Sequence, residues 1–367
     1  MAESHAAELT VFINGRFLTQ PLSGVQRYAR EMIRALDRRP GAGTRYVLLT
    51  PPGADPSSLD LRSIPVRTVT GGRGHLWEQI ALAWAARRGR LLSLGGSSPI
   101  LHPRQRVVIH DAAVFRHPEH FRRGYAVFHR VLGRLLSRIA VLATVSQFSR
   151  GELAAVLGLP ESHIAVVPNG ADHLMRATPL QGPLADLDLT GRPYFVALGN
   201  LAPNKNLAVM IRALGRLPDP DLRLVLIGAA APAIFDRAAP AADPRVLFAG
   251  RRTDAEVAPL LRGARALIFA SLYEGFGIPP LEAFAQDRPV IASDIPAVRE
   301  VCGDAPDYFA PWDDAALADH MAALLRAGPA PHRFAQGRAR LAFYTWDGSA
   351  RRLETWLAED RPASTSR

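Results

Sequence analysis

The 367-residue chain holds one cysteine, Cys302, so no internal disulfide can form and a reducing compartment is expected. It has no long hydrophobic run either. The longest uncharged apolar stretch, LVLIGAAAPAIF (224–235), is too short for a bilayer and is broken by glycine and proline. The opening residues MAESHAAELTVFING lack the basic-then-apolar order of a secretory leader. These absences together predict a cytoplasmic protein. Missing as well are zinc-finger spacing, an aromatic-rich RNA-binding motif and a lysine-rich tail, so nucleic acid is not an expected partner. A net charge of +10 would suit an anionic lipid or a phosphorylated substrate, but an arginine-rich solvated surface accounts for it equally well. Charge by itself assigns no function.

What is present is an ordinary globular composition, 48% apolar and 21% charged, in a chain long enough for two domains. Short apolar runs alternate with helical stretches. In the first half the strand candidates are LTVFIN (9–14), RYVLLT (45–50), VVIH (107–110), AVLATVS (140–146) and IAVVP (164–168). Val25, Tyr28, Ala29, Met32, Ile33 and Leu36 form a helical stripe between the first two. Periodicity lapses over 177–193 and resumes with YFVALG (194–199), LRLVLIG (222–228), RVLFAG (245–250), RALIFA (265–270) and PVIAS (289–293). Continuous apolar strands with intervening helices predict parallel sheets covered on both faces. The expected layout is an amino-terminal domain 1–178, a linker 179–193, a carboxyl-terminal domain 194–345 and a last helix in 346–367 packing back on the body. A ligand is expected between the carboxyl ends of the two sets of strands.

The chemistry concentrates in SLYEGFGIPPLEAF (271–284). A strand runs into a glycine-rich turn, and Pro279 and Pro280 then open a helix where an N–H would be unpaired anyway. Gly275 and Gly277 allow close backbone approach, and a helix start favours phosphate. Glu282 falls in the first turn, where a carboxylate can accept from both hydroxyls of a ribose. Glu274, on the strand side, would face another part of the same ligand. Taken alone, Glu282 is as well explained as an acid stabilising a helix start.

The pair does not stand alone. The stretch resembles the Glu-x7-Glu signature of retaining glycosyltransferases of the GT-B fold, family 4 in particular. RPVIASDIPAVREVCGDAPDYFAPWD (288–313), GNLAPNKNL (199–207), ATVSQFSRGEL (143–153) and VVPNGAD (166–172) are similar to that family in the same order. NGRFLTQPLSGVQRYARE (14–31), HLWEQIALAW (75–84) and IHDAAVFRHPEHF (109–121) resemble a bacterial mannosyl- and rhamnosyltransferase-like subgroup. The resemblance implies an α/β GT-B protein, two Rossmann-like doubly wound domains facing each other across a cleft, the first taking the acceptor and the second the nucleotide sugar. It implies a co-substrate rather than a cofactor, with GDP-mannose the first choice, and a saccharide or polyprenyl-linked acceptor in bacterial polysaccharide synthesis.

Roles follow from the matched positions. Lys205 would neutralise the leaving diphosphate, with Glu274 near the transferred sugar and His110 bordering it. Glu282 would hold the ribose, and Gly275, Phe276, Gly277 and Ile278 would present backbone to the donor. Gly24 would open the first helix against the diphosphate or the acceptor, and Asp111 would serve the acceptor side. The chain departs from the family at Asn200 and Asn204, where an arginine is usual, so the second cation is expected from Arg251 or Arg252. No metal site is evident: the Asp-x-Asp at 186–188 lies in the expected linker with no buried strand before it. A GT-B epimerase or phosphorylase, or a basic nucleic-acid-binding α/β protein, are the rival readings. Finally, 116–140 mixes Arg122, Arg123, Arg130, Arg134 and Arg138 with Phe121, Tyr125, Phe128, Leu132, Leu135 and Leu136. Such a basic amphipathic helix either packs on the core or lies on an anionic membrane, here the inner face of the cytoplasmic membrane.

Overall fold

Strands apolar on both sides stay out of water only when helices cover both sheet faces, and both sheets are built that way. The computed structural model describes residues 9–39, 43–180, 182–200, 202–229 and 243–359. The chain divides into two units, Met1–Asn169 with Trp346–Arg367, and Gly170–Thr345.

The first unit carries β1 (Leu9–Asn14), β2 (Thr44–Thr50), β3 (Val66–Thr68), β4 (Arg90–Ser93), β5 (Gln105–Val108), β6 (Val141–Thr144) and β7 (Ile164–Val166). They pair in the order β3-β2-β1-β4-β5-β6-β7, parallel throughout. The direction of winding reverses between β1 and β4, and that crevice at the strand carboxyl ends is where doubly wound sheets bind ligands. One face of the sheet is sealed by Trp77, Leu82 and Ala86 against Phe12, Val47, Leu49 and Leu91. Leu132, Leu136 and Leu153 pack against Val107 and Leu142 in a second core of this unit.

The second unit carries β8 (Tyr194–Leu198), β9 (Arg223–Ile227), β10 (Val246–Gly250), β11 (Leu267–Phe269), β12 (Val290–Ser293) and β13 (Asp307–Phe309). Their order is β10-β9-β8-β11-β12-β13, again all parallel, with the reversal between β8 and β11. Strands β3, β4 and β13, absent from the sequence candidates, contribute three, four and three residues. Residues 179–193 group with the second unit. Leu180 N–H donates to the Ala255 carbonyl at 2.9 Å, and Pro183 and Leu189 are buried. Isolated anchors of this kind leave no period to read.

The last helix, Trp346–Ala358, belongs to the first unit and lies along the helix Gly24–Asp37. Trp346, Leu353, Trp356 and Leu357 are buried, and the Trp346 ring meets Tyr28 edge-on at 6.0 Å. Arg39 spans Glu354 at 3.0 Å and Asp347 at 3.3 Å. The basic helix, Arg123–Ile139, buries Ala126, Leu132 and Leu136 but leaves Tyr125, Val127, Phe128 and Val131 exposed. Both faces of this helix are therefore apolar. Among the described residues no helix is long and apolar enough to cross a membrane.

Candidate active site

The reversal in the second sheet places the loops leaving β8 and β11 side by side, and these carry Lys205 and Glu274. Lys205 ends a 3-10 turn, Pro203–Lys205, that Asn206 terminates in the left-handed region at φ 54°. Asn204 stitches the two loops together: its Nδ2 donates to the Tyr273 carbonyl at 3.2 Å, and its own carbonyl accepts from Leu272 N–H at 2.8 Å. The loop leaving β9 is pressed equally close. A Cβ at Gly228, whose φ is 149°, would stand 1.8 Å from the Gly199 carbonyl oxygen. Held in this way, the Lys205 ammonium donates to Glu274 Oε1 as an ion pair, with its Nζ 5.1 Å above the Phe269 ring centre. One fifth of the Lys205 side chain stays exposed.

Glu282 sits in the helix Ile278–Phe284, with Pro279 and Pro280 in its first turn. Gly277 enters the helix at φ 89°, a region that an L side chain rarely adopts, and a Cβ there would crowd the Phe269 ring at 3.3 Å. Phe276 is buried edge-on against Tyr344 at 5.2 Å, and Ile278 is buried as well, which leaves this segment only its backbone to offer a ligand. The Glu282 carboxylate is buried, and His173 Nε2 lies 2.8 Å from its Oε1. A carboxylate only accepts, so with Glu282 ionised the Nε2–H donates and fixes the carboxylate's rotamer.

The other expected residues have local contacts of their own. Arg252 is committed to its own helix entry, donating to the Ala249 carbonyl at 2.9 Å and to Glu256 Oε1 at 2.9 Å. The Thr253 amide first, then Arg252 and the Thr253 hydroxyl, hold the Glu256 carboxyl down at about 2. Asn200 is exposed, and its carbonyl accepts from Ala202 N–H at 2.8 Å. In the first unit, Gly24 begins the helix Gly24–Asp37 with open space where a Cβ would stand. His110, past the end of β5, puts Nε2 2.8 Å from the Leu94 carbonyl and its ring edge-on to Tyr28 at 4.8 Å. A carbonyl cannot donate, so Nε2 carries the proton and Nδ1 the lone pair. Burial pushes the His110 pKa from 6.5 down to about 4, so the ring is neutral. Asp111 Oδ1 accepts from Ala113 N–H at 2.8 Å. Among the described residues, His117, Glu119 and His120 have ligand atoms within 4.8 Å of one another, on the exposed side of the first unit.

Sequence reasoning missed His173, which follows PNGAD without any spacing to mark it. It missed one signal in plain view. Of 44 lysine and arginine residues, Lys205 is the only lysine. A lysine presents a compact point charge where an arginine would present a planar fork.

Residues 22–173 match the family described as "Glycosyltransferase Family 4", and residues 192–327 the one described as "Glycosyl transferases group 1". O-antigen chain mannosyltransferase B of Escherichia coli is 28% identical over 253 residues, 65% of this chain and 66% of that one. RfbU of Salmonella typhimurium, an O-antigen chain mannosyltransferase, is 27% identical over 70% of each. Among solved structures, Anabaena HepE in complex with UDP and glucose superposes with a TM-score of 0.72 at 18% identity, covering 95% of this chain and 99% of that one. WaaG, a glycosyltransferase involved in lipopolysaccharide biosynthesis, superposes with a TM-score of 0.64 at 17% identity, covering 95% and 98%. With both sheets, the loop pair at the second reversal and two family matches in register, the chain belongs to glycosyltransferase family 4 and has the GT-B fold.

Proposed function

We propose that this glycosyltransferase moves a hexose, mannose as first choice, from GDP-mannose to a saccharide or polyprenyl-linked acceptor in bacterial glycan synthesis. The observation that carries the reading is the partly exposed Lys205–Glu274 ion pair, with the buried Glu282 on the helix that follows the Glu274 loop. Two mannosyltransferases of O-antigen chains among the relatives favour mannose.

In this reading the donor's diphosphate displaces Glu274 from Lys205. The ammonium then meets the negative charge that grows on the leaving phosphate, an interaction stronger in the transition state than before it. Backbone N–H groups of residues 276–278 assist, so charge neutralisation needs no divalent ion. Glu282, steadied by His173, takes the ribose hydroxyls through its remaining acceptor capacity. Glu274, once released, faces the transferred sugar, and neutral His110 accepts a hydrogen bond from a sugar hydroxyl at Nδ1, with no proton transferred. The bond to the anomeric carbon breaks toward phosphate while the acceptor oxygen enters on the same face, giving retention. The departing phosphate oxygen removes the acceptor's proton. The first unit takes the acceptor and the second the donor. Arg252 joins the donor only by leaving Glu256.

The lone lysine provides the test. An amine-directed acylating reagent should modify Lys205 and the terminal amine only, and GDP or GDP-mannose should protect Lys205. Thermal shifts with GDP, UDP, ADP and dTDP and their sugars would identify the base. No protection by any nucleotide sugar would remove the assignment.

A membrane contact at the cytoplasmic face is the second part of the proposal. It rests on the exposed Val127, Phe128 and Val131, which share the helix Arg123–Ile139 with exposed Arg123, Arg134 and Arg138. Sedimentation with anionic liposomes at low salt and release at high salt is expected. Failure to sediment at low salt removes this part.

A further inference from the structure

The motif HPEH (117–120) folds into a 3-10 turn, Pro118–His120, that joins the short helix Ala113–Arg116 to the long basic helix Arg123–Ile139. A 3-10 turn repeats every three residues, so side chains three apart lie one above the other. His117 and His120 are three apart, and their rings stack with centroids 5.4 Å apart and planes 13° apart. Pro118 opens the turn with its φ already set. Two backbone bonds close it, His120 N–H to the His117 carbonyl and Phe121 N–H to the Pro118 carbonyl, both at 3.1 Å. The turn is anchored on both sides. Arg116 donates to Glu152 through Nε at 2.7 Å and Nη2 at 3.1 Å, which also cancels the charge of the arginine preceding His117. Phe115 packs so closely on Gly133 of the long helix that a Cβ there would stand 3.0 Å from its ring.

Glu119, between the two histidines, reaches back to both rings. Its Oε1 lies 3.3 Å from His117 Nδ1 and 3.9 Å from His120 Nε2, and the ligand atoms of all three residues fall within 4.8 Å of one another. Two imidazole nitrogens and one carboxylate oxygen form a donor set that suits zinc and its first-row neighbours, whereas calcium and magnesium take oxygen. Tetrahedral bonds of about 2.0–2.1 Å hold ligand atoms about 3.3 Å apart. The His117–Glu119 edge already has that length. The His120–Glu119 edge must shorten, which the Glu119 side chain, 62% exposed, allows by rotating in solvent. With the backbone of the turn fixed at both ends, little order is left for an ion to impose.

We propose that His117, Glu119 and His120 bind one divalent cation of the zinc type, through His117 Nδ1, His120 Nε2 and a Glu119 carboxylate oxygen, with water completing the tetrahedron. Each ring then carries its proton on the other nitrogen, since the ion takes a lone pair. The ion clips the turn between the short helix and the basic helix and so stabilises the first unit. The Lys205 chemistry does not use it. None of the three ligands is buried, so the ion is open to exchange with solvent, and the turn persists without it through its own backbone bonds.

The test is calorimetry with zinc chloride on the full chain carrying no histidine tag. One equivalent should bind, and calcium or magnesium at the same concentration should not. Removing an outer hydrogen-bond partner of a metal ligand costs about 10–100-fold in affinity, so losing a ligand itself in His117→Ala or His120→Ala should cost at least as much. Glu119→Gln should weaken zinc less, because the amide keeps an oxygen donor and loses only the charge. Zinc should also raise the unfolding temperature of the unaltered chain and leave that of His120→Ala where it was. His332→Ala, at an exposed position outside the turn, should bind zinc as the unaltered chain does. No zinc binding, unchanged binding in either HPEH histidine variant, an equal loss in His332→Ala, or equal binding of calcium overturns the proposal. None of these outcomes depends on the donor assignment at Lys205.

Discussion

The two sheets reverse their winding in the same way, yet the two crevices handle charge oppositely. At the first reversal Glu78 is fully buried and receives four donors from the protein itself. At the second, Lys205 and Glu274 neutralise each other at a partly exposed position with few other partners. A saturated buried acid is there to hold geometry, since removing one partner strands the other without water. A pair that keeps some contact with water costs less to separate than a fully buried one. The same topology thus holds a fixed scaffold in one unit and a partly exposed ion pair in the other.

Substitutions should separate these two uses. The largest effect is expected from Lys205→Ala, which should lower turnover on the order of 10²–10³-fold while leaving the unfolding midpoint almost unchanged. Steady-state kinetics beside urea denaturation checks both halves. Glu78→Ala should do the reverse in kind, costing roughly 3–5 kcal/mol of stability because Arg16 is left buried without its counter-charge. A loss from Glu78→Ala no larger than that from Glu274→Ala would erase the contrast between the two crevices. Glu282→Ala should weaken donor binding roughly tenfold or more by calorimetry, and His173→Ala should weaken it less, since His173 acts through Glu282.

Acid should act on the first unit. Burial, the first cause in both, lowers His110 and His129 to about 4, so unfolding lets each bind a proton below the ordinary 6.5. Stability from these two rings is complete above pH 6.5 and declines as pH falls toward 4. His110→Gln should reduce the slope of unfolding free energy against pH by about one proton in that window. An unchanged slope would mean that His110 is not buried neutral. The smallest change is expected at Arg252, whose partly exposed pair with Glu256 is worth about 0.5 kcal/mol. Donor affinity should therefore move less in Arg252→Ala than in Glu282→Ala.

Much of this was legible in the residues, and the reasons are physical. Strands such as LTVFIN and YFVALG are apolar on both sides, so their burial under helices follows from composition alone. The glycines and prolines of 275–280 declare a turn and a helix start through their backbone limits. Asp287 adopts φ 50°, a left-handed backbone that aspartate tolerates better than most side chains. Asn204 could not be read in that way. From the sequence it is an absent arginine, whereas in the fold its amide binds the Lys205 loop to the Glu274 loop.

The sequence by itself determined the class of the protein, because local backbone chemistry and apolar periodicity act within a few residues and survive in one dimension. It also singled out Lys205 by making it the only lysine. Only the tertiary structure decided which charges meet. Lys205 reaches Glu274 across 69 positions, His173 reaches Glu282 across 109, and Asn14 reaches Glu78 across 64. Hydrogen bonds and ion pairs extend only a few ångströms, so partners that far apart in sequence are set by strand order, and strand order is a property of the folded sheets.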